Sequence, residues 1–202
     1  MNKLNIVLSL LFFVFSFQVS LAQSDEHDAN FKDYNFKKIN KTHGITSESF
    51  YVMMRDSTMI AVDVFLPKKP AKQGEKLPAI LYQTRYWRSV ELVWPLNKIY
   101  PIIPSTYNYD ILDFVRNGYA VVTVDVRGSG ASYGSKKSGL PSRDEVADAK
   151  EILDWIVAQD WSNGKIGATG ISYIGITAYY TLIHKHPALK AVVPISTLFE
   201  AY

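Results

Sequence analysis

The chain contains no cysteine. No disulfide can form in it, and no lipid can be attached to a cysteine behind a processed leader, so packing alone must hold the fold. Histidine is scarce, with 4 in 202 residues. His27 and His43 precede the first strand-like run. His184 and His186 are two apart, so a helix would not present them on one face as a metal pair. A large charge of one sign is also missing: the formal net charge is +3. The basic residues are scattered, which excludes a nucleic-acid footprint. Lys68, Lys69, Lys72 and Lys76 do cluster, between Pro67 and Pro78, and that stretch is expected to be a solvated loop. There is no internal repeat and no low-complexity tract. What is present is ordinary globular material, 48% hydrophobic, 13% aromatic and 20% charged, enough for one core.

The N-terminus reads as a leader. Lys3 supplies a positive start, Ile6 to Phe17 an apolar stretch, and Ser20-Leu21-Ala22 the small residues of a cleavage site. Residues 1–22 are therefore expected to be a signal peptide, leaving an exported, periplasmic or secreted product that begins at Gln23. The apolar stretch is shorter than the about 20 residues of a membrane span. An uncleaved anchor is the alternative, and no stable membrane insertion is expected after cleavage. Residues 23–45 are a polar lead-in.

Strand and helix signals then alternate. Ser49–Arg55 and Met59–Phe65 flank Asp56-Ser57-Thr58 and read as a hairpin. Leu77–Tyr82 is a short buried strand. Trp94 to Tyr109, rich in Pro and aromatics, is read as a long irregular loop. Tyr109–Arg116 is helical and ends at Asn117-Gly118. Tyr119–Val126 is a strand covered on both faces. Asp144–Ala158 has amphipathic helical spacing, with a polar start from Pro141 to Glu145. Lys165–Thr169 and Lys190–Ile195 are strands, and Ile176–His186 is a helix. Two antiparallel strands leading into β-α-β-α-β predict an α/β fold, a doubly wound and mostly parallel sheet.

The chemistry concentrates at Gly170-Ile171-Ser172-Tyr173-Ile174-Gly175. A serine among small residues at a strand-to-helix turn is the nucleophile elbow of an α/β-hydrolase. The turn aims the hydroxyl at substrate and puts the next residue's N–H where an oxyanion forms. The pattern departs from G-x-S-x-G: Ile174 holds the last glycine's usual place, and Gly175 follows it. Gly128-x-Gly130 after a strand has part of a dinucleotide fingerprint. There the helix must begin within the motif, whereas Ser132 to Arg143 is polar and loop-like. No cofactor and no metal are expected. Asp125 and Arg127 are expected to fix that loop.

Three segments in register carry a family resemblance: Asp125-Val126-Arg127-Gly128-Ser129-Gly130-Ala131-Ser132, Trp155 to Gly167, and Gly170 to Gly175. Together they resemble the cocaine esterase and Xaa-Pro dipeptidyl-peptidase family, over about Phe50 to the chain end. The resemblance implies a serine hydrolase that cleaves an ester or amide of a small molecule or peptide through an acyl-enzyme. Ser172 matches the nucleophile, and the Tyr173 N–H matches one oxyanion donor. Tyr86, in Thr84-Arg85-Tyr86-Trp87, matches the family's Tyr-hydroxyl donor, although the family's Pro is absent before it.

In α/β-hydrolases the acid and the histidine follow the nucleophile along the chain. Here about 30 residues follow Ser172, and Ala191–Ile195 would be the sixth of eight strands. At 1.5 Å rise per residue, His184 would lie about 18 Å from Ser172 along a helix, so His184 and His186 read as helix C-terminal charges. Residues 46–202 are thus expected to be the N-terminal part of a catalytic domain, incomplete on its C-terminal side. Two alternatives stay open. One is an inactive remnant or binding protein on the same scaffold. The other is a different α/β-hydrolase, prolyl oligopeptidase-like or dienelactone hydrolase-like. Tyr173 and Trp161-Ser162-Asn163-Gly164-Lys165 favour the first family over this last one.

Overall fold

The computed structural model describes residues 44–69, 74–90, 94–95, 103–104, 111–135 and 139–198. The signal peptide, nearly all of the lead-in, His27, His43, Lys72 and most of the Pro- and aromatic-rich stretch lie outside the described residues.

The element order is β1 (Ile45–Met53), β2 (Met59–Pro67), β3 (Leu77–Thr84), β4 (Ser89–Val90), β5 (Ile103–Pro104), α1 (Ile111–Arg116), β6 (Ala120–Asp125), α2 (Arg143–Val157), β7 (Ser162–Ile171), α3 (Tyr173–Tyr180), a 3-10 turn (Thr181–His184) and β8 (Leu189–Ile195). Six strands form one sheet in the order β1-β2-β6-β3-β7-β8. The β1–β2 and β2–β6 pairs are antiparallel. The β6–β3, β3–β7 and β7–β8 pairs are parallel. This is the expected mixed, mostly parallel sheet, with the parallel strands joined by helical crossovers.

Strand alternation builds two apolar layers. Val62, Val64, Leu81, Val122 and Val124 share one layer with Ile152, Leu153 and Ile156 of α2. Phe65, Tyr82 and Val121 point the other way and pack on Ile111 and Val115 of α1 and Ile174 of α3. Every residue of β6 is buried, which accounts for its unbroken apolar sequence. The sheet edges differ: β1 and β8 carry exposed apolar residues, among them Met53 at 67% and Val193 at 56%.

The hairpin turns through Ser57 at φ 64°. Helix α1 ends at Gly118, φ 86°, where the Gly118 and Tyr119 N–H groups donate to Val115 and Phe114. Helix α2 is capped by Ser142, whose oxygen accepts from the Glu145 N–H. A cap of this kind contributes about 1 kcal/mol.

Beyond shifts of one or two residues at several element ends, and a start of β1 at Ile45 rather than Ser49, three further differences from the sequence reading stand out. Strand β7 spans Ser162–Ile171 rather than Lys165–Thr169, because Ser162 already pairs with Leu77. Ile103-Pro104, inside the stretch read as an irregular loop, forms a two-residue ladder with Ser89-Val90. The helix read as Ile176–His186 starts at Tyr173 and is α-helical only to Tyr180. The 3-10 turn follows it, and Lys185 at φ 45° ends it, leaving His186 beyond the helix.

Candidate active site

The elbow is built as its sequence suggests, and the displaced glycine has a steric reason. Ser172 sits between β7 and α3 with φ 59° and ψ −124°. Positive φ is uncommon for a residue with a Cβ, and such strain persists only where the surroundings impose it. Here the Ser172 N–H donates to the Ile195 carbonyl at 2.9 Å, and its own carbonyl accepts from Ile176 at 2.9 Å. The Ser172 side chain is exposed and makes no capping bond to α3.

A Cβ at Gly170 would collide with the Ile174 side chain. A Cβ at Gly175 would lie 2.5 Å from the Ile195 carbonyl oxygen and 2.8 Å from that of Gly170. The close approach of helix to strands thus falls at Gly175. Ile174, fully buried, points into the α1 layer. A glycine one place later than the usual pattern is what this packing needs.

Tyr173 opens α3, so its backbone N–H is one of the first-turn donors that no carbonyl of the helix receives. Its side chain is the centre of a polar cluster. The buried hydroxyl donates to Glu145 Oε2 at 2.6 Å. The Arg85 guanidinium stands over the ring, 4.8 Å from its centroid. Tyr86 meets the ring edge-on, with centroids 6.5 Å apart and planes at 73°. Burial, reinforced by the Glu145 carboxylate, pushes the Tyr173 phenol well above the ordinary tyrosine range, so it remains a hydrogen-bond donor.

Tyr86 follows the carboxyl end of β3. Its N–H donates to Thr84 Oγ1 at 3.1 Å. Two residues on, Arg88 bonds the buried Asp63 and Asp125, each at 2.7 Å. The fold therefore brings Tyr86 against the residue that follows Ser172.

His184 and His186 are drawn elsewhere. His184 Nε2 lies 2.6 Å from the Val146 carbonyl oxygen, and His186 Nε2 lies 3.0 Å from Asp154. His184 closes the last turn, as expected, while His186 falls beyond it, and both side chains tether this segment to α2. Asp125 and Arg127 do hold their loop. The Ala131 N–H donates to Asp125 Oδ2 at 2.9 Å. Arg127 donates to Asp148 at 2.8 and 2.6 Å, and reaches Asp56 at 2.6 Å. Among the described residues, no His, Asp and Glu side chains gather as three or more metal ligands. Among them too, no helix is long and apolar enough to cross a membrane.

Glu145, Arg85 and Arg88 were not singled out from the sequence. The Ser142-x-x-Glu145 spacing has the form of a capping box. In the fold the Glu145 carboxylate turns to Tyr173, at 2.6 Å, and to the Ser142 hydroxyl, at 3.3 Å.

Comparison with known proteins bears on the family and the fold. The family profile of the X-Pro dipeptidyl-peptidases (S15 family) matches residues 56–202. A Mycobacterium bovis protein, named provisionally as a serine esterase, is 44% identical over 163 residues, covering 79% of this chain and 26% of its own length. The cocaine esterase of Rhodococcus is 34% identical over 151 residues, covering 75% of this chain and 23% of its own. The chain thus spans about a quarter of the length of these relatives. The crystal structure of a CocE/NonD family hydrolase from Staphylococcus aureus superposes with a TM-score of 0.61 at 29% identity, over 75% of this chain and 27% of that one.

Proposed function

This chain belongs to the X-Pro dipeptidyl-peptidase (S15) family, and we propose on that footing that it carries the nucleophile and oxyanion site of an exported serine hydrolase. The bond cleaved is an ester or amide of a small molecule or peptide. The observation that carries this reading is the strained, exposed Ser172 at the turn from β7 into α3.

In the proposed reaction the Ser172 hydroxyl attacks the carbonyl carbon, and its proton passes to a general base. The Ser172 Oγ–C bond forms as the carbonyl becomes an oxyanion. Collapse expels the alcohol or amine, which takes up the proton, and leaves an acyl-enzyme that water hydrolyses. Tyr173 N–H and the Tyr86 hydroxyl donate to the oxyanion, each contributing about 3–4 kcal/mol to transition-state stabilisation. Neither His184 nor His186 is assigned as that base: His184 Nε2 is turned to the Val146 carbonyl of α2, and both ring nitrogens of His186 are engaged, Nε2 with Asp154 and Nδ1 with the Ala188 N–H.

The reading is tested by rapid-mixing kinetics with p-nitrophenyl esters on the natural full-length product. It predicts ester turnover through a trappable acyl adduct, both lost in Ser172→Ala. Turnover unchanged in Ser172→Ala would refute it. A wild-type protein without turnover would favour the scaffold or binding role instead.

A further inference from the structure

We propose that Arg88 is the positioning residue that fixes Tyr86 as an oxyanion donor, by locking the segment behind Tyr86 onto the carboxylates of Asp63 and Asp125. The proposal rests on the reading of Ser172 and Tyr86 given above and names what holds one of its parts in place.

The need for such a device follows from where Tyr86 sits. It lies beyond the end of β3, in residues 85–88 without regular structure, and its side chain is 37% exposed. Core burial therefore cannot fix it alone. An oxyanion donor must be held to within about 0.5 Å to act on the transition state rather than on bulk solvent. On the amino side the segment is held by the Tyr86 N–H to Thr84 Oγ1 bond and by Arg85, which stands over the Tyr173 ring and donates to the Gly139 carbonyl.

Arg88 does the corresponding work on the carboxyl side. Its Nε donates to Asp63 Oδ1 and one terminal nitrogen to Asp125 Oδ2, each at 2.7 Å. The two carboxylates come from adjacent strands, since Asp63 of β2 pairs with Thr123 of β6. Both are buried: their side chains are 3% and 2% exposed. Asp63 also accepts from Ser49 Oγ at 2.6 Å and from the Ser89 hydroxyl, and Asp125 accepts from the Ala131 N–H at 2.9 Å. A Cβ on Gly130 would collide with the Asp125 carboxylate, so the loop after β6 closes directly over that carboxylate. Arg88 thus docks on a surface already set by the sheet, and Tyr86 is suspended between two fixed points.

The chemistry selects arginine. A guanidinium offers donors on two edges and can serve two separate carboxylates at once, whereas an ammonium is a single point charge. Lysine at this position would keep the charge and lose one of the two anchors.

The test is steady-state kinetics with a p-nitrophenyl ester on the natural full-length product, using Arg88→Lys and Arg88→Met, each alone and combined with Tyr86→Phe. Arg88→Lys should lower kcat by about tenfold or more with KM changed less than about threefold, because the lost contact acts on the transition state. Arg88→Met should approach the loss expected for Tyr86→Phe, about 10²–10³-fold. In the Tyr86→Phe background the Arg88 substitutions should change kcat by less than about threefold, since the hydroxyl they position is gone. If Arg88→Met does not fold, Arg88→Lys carries the comparison. A kcat within about threefold of wild type in Arg88→Lys, or an equal loss with and without the Tyr86 hydroxyl, would overturn the proposal, because a merely structural ion pair gives the latter. Full activity in Tyr86→Phe, with Ser172 still essential, would overturn it while leaving the nucleophile in place. Turnover that survives Ser172→Ala would instead refute the underlying reading of the site.

Discussion

The Tyr173 hydroxyl donates to Glu145 Oε2 across 2.6 Å in the interior, so the residue that follows the candidate nucleophile is tied by its side chain to the first turn of α2. A backbone group at a helix start is thereby held from two directions. The main chain is fixed by the elbow, and the side chain is fixed by a carboxylate that the amino end of α2 stabilises.

That pair has a measurable weight. Tyr173→Phe leaves the Glu145 carboxylate buried with the Ser142 hydroxyl alone, and should cost about 1.5–3 kcal/mol in urea unfolding. Glu145→Gln keeps an acceptor for the phenol and should cost less. The phenol's raised pKa has a definite sign. Its stabilising contribution is complete below the unfolded tyrosine pKa of about 10 and is lost as pH rises beyond it. Stability should therefore fall above about pH 10 more steeply in wild type than in Tyr173→Phe. Equal stability of Tyr173→Phe and wild type at pH 8 would contradict the account.

A second pH effect lies at the opposite end of the scale. The hydrogen bonds from Arg127, at 2.6 and 3.2 Å, hold the Asp56 carboxyl well below the usual carboxylate range. The stability this gives is present above the unfolded Asp pKa of about 3.9 and is lost as pH falls below it. Asp56→Asn keeps an oxygen for the Thr58 N–H bond at 3.1 Å and removes the charge. Its melting temperature should lie below that of wild type at pH 7, and the gap should close in acid. A gap as large at pH 3 as at pH 7 would show that charge is not the cause.

Gly175 provides a steric prediction. An added Cβ would lie 2.5 Å from the Ile195 carbonyl oxygen, so Gly175→Ala must push α3 away from β8 and should cost at least about 1–3 kcal/mol. A Cβ at Gly139 meets nothing within 4 Å, so Gly139→Ala should be neutral or stabilising by about 0.4–1 kcal/mol. Thermal unfolding of the two variants side by side checks this. Similar melting temperatures would contradict it.

Much of this was legible in the sequence because the deciding forces were local. The hairpin, the buried run of β6 and the amphipathic α2 follow from residue pattern, and the elbow follows from glycine spacing around Ser172. What was not legible depends on partners distant in the chain. Helix α3 is apolar on every side, with Tyr173 through Ala178 all buried, so it has no helical period to mark its start. The reason for glycine at 175 is Ile195, which only the β7–β8 pairing brings near. Glu145 has the spacing of a helix cap, and nothing in the sequence distinguishes a carboxylate that caps from one that reaches Tyr173. Arg88, Asp63 and Asp125 lie in three separate segments and become a cluster only when β2 and β6 pair.

The central claim is that Ser172 is an activated nucleophile, and covalent mapping with a fluorophosphonate probe tests it most directly. On the natural full-length product, the account predicts one probe adduct per chain, located by peptide mass spectrometry on Ser172 and absent from Ser172→Ala and from heat-unfolded protein. An adduct on another residue, or labelling undiminished in Ser172→Ala, would contradict it.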